Sequence, residues 1–128
     1  MRRWLIYSLG VMVLFAAWAR SDDGGGAKVL RHVVMFKFKE GTPPEKIKET
    51  EDGFRALPGK IPVIKEFEWG TDLNAGKSSQ GFTHCFLVTF ADKAGLDTYG
   101  PHPAHQAFAQ MLKPYLDKCC VLDYWVSK

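Results

Sequence analysis

A chain of 128 residues, 46% hydrophobic and 13% aromatic, has the length of one domain and enough apolar material to bury a core. That composition excludes a disordered chain. The formal net charge is +3 and no block of lysine and arginine forms a phosphate-binding stripe, which sets nucleic acid aside as a partner.

The N-terminus reads as an export signal. Arg2 and Arg3 form a short positive region, Trp4 to Trp18 is almost wholly apolar, and Ala17-Trp18-Ala19 supplies a small-x-small cleavage pattern. The apolar run is short for a membrane span, which needs about 20 residues. Residues 1–19 are therefore read as a signal peptide cut after Ala19, and the mature chain as secreted or periplasmic, with no stable membrane association after cleavage. Loss of Arg2 and Arg3 takes the charge from +3 to +1. Residues 20–28, built around Ser21-Asp22-Asp23-Gly24-Gly25-Gly26, carry no apolar pattern and form a flexible tether to a domain over 29–128.

Leu30, His32, Val34, Phe36 and Phe38 alternate with Arg31, Val33, Met35 and Lys37, the period of a strand. Both faces are largely apolar, so both require cover. Thr42-Pro43-Pro44-Glu45 predicts a helix start, with Thr42 as cap and Glu45 closing a capping box. Ile47, Phe54 and Leu57 face inward, Gly53 marks close packing, and Pro58-Gly59-Lys60 ends the helix. Ile61 to Thr71 reads as a second strand, Asp72 to Gly81 as a mobile hairpin loop, and Phe82 to Phe90 as a third strand.

Asp92 caps a short helix that ends near Tyr99. Tyr99-Gly100-Pro101-His102-Pro103-Ala104-His105 follows. Its prolines hold the backbone extended up to His102, and Pro103 suits the first turn of a helix running to Leu112. His105, Phe108 and Leu112 share the apolar stripe of that helix. An imidazole on a buried stripe beside a phenol can serve acid–base chemistry or be a hydrogen-bonded core residue. Cys119 to Val126 closes the chain as a fourth strand.

The order β-α-β-β-α-β defines an α+β, ferredoxin-like domain with helices on one sheet face. Val33, Met35, Leu87, Leu122 and Tyr124 fall on the other face, an apolar surface that a second copy would cover in a homodimer. Cys85, Cys119 and Cys120 are read as small buried hydrophobes with no intrachain disulfide. His102 and His105 have metal-ligand spacing, but no third ligand follows, so no metal is expected.

Arg31 through Phe38, Phe67-Glu68-Trp69-Gly70, Gly81-Phe82-Thr83-His84, Tyr99 through His105, and Asp123-Tyr124 together resemble the stress-responsive dimeric alpha/beta-barrel (Dabb) domain family over residues 29 to 126. The resemblance implies two such sheets packed face to face in a dimeric barrel; no cofactor is expected. Most of that family has no assigned reaction. In a plant polyketide cyclase of the family, a tyrosine and a histidine of the same motif carry an aldol ring closure. Tyr99 and His105 match those positions, so the resemblance makes them the candidate catalytic pair.

His32, His84 and His102 match histidines there too, and strand parity turns His32 and His84 toward the helix-covered side. The expected pocket wall is then His32, Val34 and Phe36 from the first strand, and Phe54 from the first helix. His84 and Phe86 of the third strand join it, with His102 and Phe108 from the last helix region. Thr50 and Glu51 stand where the cyclase carries bulky aromatics, which spoils the wall of an alkyl pocket.

Three functions are consistent with these residues. The first is an exported homodimer that binds a small apolar molecule with no established reaction. The second is a lyase or cyclase that uses the His/Tyr pair for enolisation or aldol chemistry. The third is haem or oxygen handling, as in other dimeric alpha/beta-barrel families. Fold alone does not choose among them.

Overall fold

The computed structural model describes residues 28–127; the signal peptide and nearly all of the tether expected from the sequence lie outside the described residues. The elements in order are β1 (Leu30–Phe38), α1 (Pro44–Lys60), β2 (Ile64–Thr71) and β3 (His84–Phe90). They continue with α2 (Lys93–Tyr99), α3 (Pro103–Leu112), a 3-10 turn (Lys113–Tyr115) and β4 (Leu116–Trp125). The strands form one antiparallel sheet in the order β2-β3-β1-β4, the ferredoxin-like α+β arrangement.

β1 lies inside the sheet, as its two apolar faces require. Its pairings set Val34 beside both Phe86 and Val121, and Met35 beside both Cys85 and Cys120. Phe54 and Leu57 of α1 and Phe108 and Leu112 of α3 bury themselves with Val34, Phe36, Phe86 and Val88, so the helices cover one face only. Gly53 is where α1 and α3 meet. A Cβ there would stand 3.1 Å from Phe108 Cδ2 and 3.1 Å from Met111 Cε. Asp92 caps α2 as its position foretells: its carboxylate accepts from the Gly95 N–H at 2.9 Å, a contact of about 1 kcal/mol. No helix among the described residues is long and apolar enough to cross a membrane.

Several local expectations are corrected. Thr42 does not cap α1; its hydroxyl donates to Lys39 O at 2.6 Å, and Pro43 holds the cap position, where its ring offers no acceptor. α1 also continues through Pro58 to Lys60, because a proline forfeits only one bond and Ile61 N–H closes the last turn on Leu57 O at 2.9 Å. β2 begins at Ile64, and a register shift follows before Glu66. β4 begins at Leu116, three residues earlier than the sequence reading, since Lys39 N–H bonds Tyr115 O at 2.8 Å and draws the chain onto β1 as soon as the turn ends.

The loop 72–81 is organised around Asp72, whose carboxylate accepts from Gly76 N–H at 2.7 Å. That bond holds the Asp72 carboxyl below its usual range. Gly76 and Gly81 sit at φ 81° and 86°, where a side chain is disfavoured, and a Cβ on Gly76 would come within 2.9 Å of Gly81 Cα.

The cysteines are free and exposed rather than buried. Cys85 and Cys120 flank Met35 on the face that no helix covers, and Cys119 lies on the edge strand β4. What burial they have still pushes the thiols of Cys85 and Cys119 up. The same uncovered face exposes Leu122 at 61% and Tyr124 at 42%.

Candidate active site

The chain turns sharply where α2 hands over to α3. His102 N–H bonds Tyr99 O at 3.2 Å, and His102 Nδ1 then accepts from Ala104 N–H at 3.1 Å, so this imidazole caps α3. The turn folds His105 back over Tyr99, with ring centroids 4.4 Å apart. His105 Nδ1 lies 2.8 Å from Gly100 O. A carbonyl only accepts, so this contact assigns the proton to Nδ1, and the neutral ring keeps a lone pair on Nε2.

His32 of β1 also meets Tyr99, edge-on at 5.7 Å between centroids. The β1–β4 register places Asp123 opposite His32, and Asp123 Oδ1 lies 2.5 Å from His32 Nδ1. A carboxylate accepts here too, which fixes His32 in the same tautomer as His105. Tyr99 is thus a phenol in contact with two oriented imidazoles. It is 2% exposed, and burial pushes its hydroxyl well above the usual phenol range, which keeps it a proton donor at neutral pH.

Beside this trio lies a cavity of about 500 Å³. Val34, Phe36, Phe54, Leu96, Phe108 and Leu112 give it apolar walls, and Cys119 and Val121 of β4 line another side. A concave, mainly apolar wall with a few convergent polar groups is the usual form of a small-molecule site.

Of the residues expected from the sequence, His32, Val34, Phe36, Phe54, Tyr99, His105 and Phe108 line this cavity. His84, Phe86 and His102 do not. His84 lies on the helix-covered side but stacks on Trp69 at 6.3 Å, and its two nitrogens bond Glu51 Oε1 and Thr83 Oγ1, each at 2.9 Å. Phe86 lies fully buried beneath Phe54 at 4.2 Å, and His102 is spent on the helix cap.

Asp123, Cys119 and Val121 were not assigned to the site from sequence. Their signal is strand parity combined with the β1–β4 register, which aligns them with His32, Phe36 and Val34. Among the described residues, no cluster of three His, Cys, Asp or Glu side chains is placed to hold a metal ion.

A helix-backed antiparallel sheet with a buried tyrosine in contact with two imidazoles beside a cavity defines a ferredoxin-like α+β domain. Residues 30–126 match the Stress responsive A/B Barrel Domain family, Dabb, and the chain belongs to it. It is 41% identical over 95 residues to the stress-response A/B barrel domain-containing protein HS1 of Arabidopsis thaliana, covering 74% of this chain and 87% of that protein. It is 28% identical over 99 residues to the olivetolic acid cyclase of Cannabis sativa, covering 77% of this chain and 98% of the cyclase.

Solved structures agree. The hydroxynitrile lyase from Passiflora edulis superposes with a TM-score of 0.73 at 28% identity, covering 80% of this chain and 97% of the lyase. A dimeric ferredoxin-like protein from Jannaschia sp. CCS1 gives a TM-score of 0.66 at 31% identity, covering 77% and 99%.

Proposed function

We propose that this chain is an exported homodimer whose cavity binds a small, largely apolar carbonyl compound and moves a proton at the carbon next to that carbonyl. The observation that carries the reading is the contact of Tyr99 with an imidazole whose Nε2 is left free beside an apolar cavity. Tyr99 O–H donates to the carbonyl oxygen and stabilises the enolate charge as it develops. Nε2 of His105 removes the α-proton. His32, held by Asp123, packs edge-on against the phenol ring and helps to fix it. Relatives named as a cyclase and as a lyase support an enzyme of that class.

Deuterium uptake at the α-carbon of simple enolisable ketones, followed by NMR in D₂O, tests the reading. Uptake above the buffer rate is expected from the wild type. Its absence, or a purified protein that shows a haem Soret band, would overturn it.

The homodimer is supported by the apolar face of Val33, Met35, Leu87, Leu122 and Tyr124 and by the dimeric relative. Leu87→Arg should convert the dimer to monomer in light scattering, because an unpaired buried charge costs several kcal/mol. A dimer that survives this change would move the interface elsewhere. Export rests on the leader pattern alone; intact mass of the exported protein starting at Arg20 is its check.

A further inference from the structure

The cavity carries polar side chains at both ends, with mainly apolar residues and the side chains of Gln110 and Cys119 between them. One end is the Tyr99, His105 and His32 trio, with the Asp123 carboxylate behind His32. The other end lies where α3 passes into the 3-10 turn and β4, and there Lys113, Leu116 and Asp117 complete the wall. The register runs from His32 opposite Asp123 to Phe38 opposite Leu116, six residues along β1. At about 3.3 Å per residue the two ends are about 20 Å apart along the strand.

The two ends differ in charge. Asp117 is neutralised by Lys37, whose Nζ lies 3.3 Å from Oδ2. Lys113 has no acidic partner within ion-pair distance among the described residues. The carbonyls at the α3 C-terminus offset at most about half of its charge. The far end is therefore net positive, while the trio end holds the Asp123 carboxylate beside His32. An anionic group is drawn to the Lys113 end.

We propose that the ligands of this cavity are elongated carbonyl compounds with a carboxylate at the end opposite the reacting carbonyl, oxo acids rather than plain ketones. The proposal rests on the reading of Tyr99 and His105 as the carbonyl-binding end. It adds a residue, Lys113, that selects the substrate class without touching the reacting atoms.

Calorimetric titration with three probes of matched chain length tests it: 9-oxodecanoate, 2-decanone and a trimethylammonium-terminated ketone. Wild type should bind the oxo acid about five- to tenfold more tightly than 2-decanone, and the cationic ketone most weakly. The affinity ratio of oxo acid to ketone should fall to about one in Lys113→Gln and invert in Lys113→Glu. Equal wild-type affinities for 2-decanone and the oxo acid, or a ratio that survives Lys113→Gln, would overturn the charge selection and leave the carbonyl site standing. Failure of all three probes to bind would remove both.

Discussion

Tyr99→Phe is expected to lower ketone α-proton exchange by about two to three orders of magnitude, the usual effect of deleting a donor to a developing oxyanion. The phenol is 2% exposed and its ring packs on His32, Phe90 and His105, so removal of one oxygen leaves the packing in place. Melting temperature and dimer content should stay close to wild type. His105→Ala should abolish exchange to at least the same degree by removing the base. It also deletes the bond to Gly100 O, so His105→Gln is the sharper variant: an amide can still donate to that carbonyl but offers no basic nitrogen. Exchange that persists in both Tyr99→Phe and His105→Gln would place the chemistry elsewhere.

Phe54→Ala is expected to cost about 3–5 kcal/mol, the range for truncating a buried aromatic. Phe54 is 2% exposed and stacks on Phe86 at 4.2 Å and on Phe67 at 5.3 Å. It also meets Phe108 edge-on at 5.0 Å. Its loss therefore opens a void at the contact of both long helices with the sheet. A domain of this size loses about 4–8 °C per kcal/mol, so the melting temperature should fall by more than about 12 °C. Urea unfolding with an unchanged m-value would separate this loss from a change in the denatured state. A cost below about 1 kcal/mol would mean that the core collapses around the missing ring.

The sequence was most legible where one periodicity governed. Alternation in β1 and β3 assigned both faces of the sheet, and the Asp92 and Pro103 signals placed two helix starts. It was least legible where distance along a strand mattered. Parity put His32 and His84 on the same face, but parity carries no position along the strand. His84 pairs with Phe36 while His32 pairs with Val88, four residues apart on β1, or about 13 Å. His84 therefore joins a separate cluster with Trp69 and Glu51. The same gap hid Asp123, whose role depends on the β1–β4 register. The tandem prolines misled for a different reason. Pro43 took the cap position that the Thr42–Glu45 spacing promised to a hydroxyl.

Gly53 lies outside the cavity wall, yet it governs how closely α1 and α3 approach. The hydrogen in place of a side chain lets Phe108 rest against the α1 backbone, and Phe108 and the adjacent Phe54 both form that wall. Any larger residue at position 53 must displace the Phe108 ring by a few tenths of an ångström and so change the width available beside Tyr99. Cavity width can therefore differ between chains whose cavity-lining residues are identical. The shape of the hollow in such a scaffold is inherited partly through helix spacing, a trait that comparison of pocket residues alone would miss.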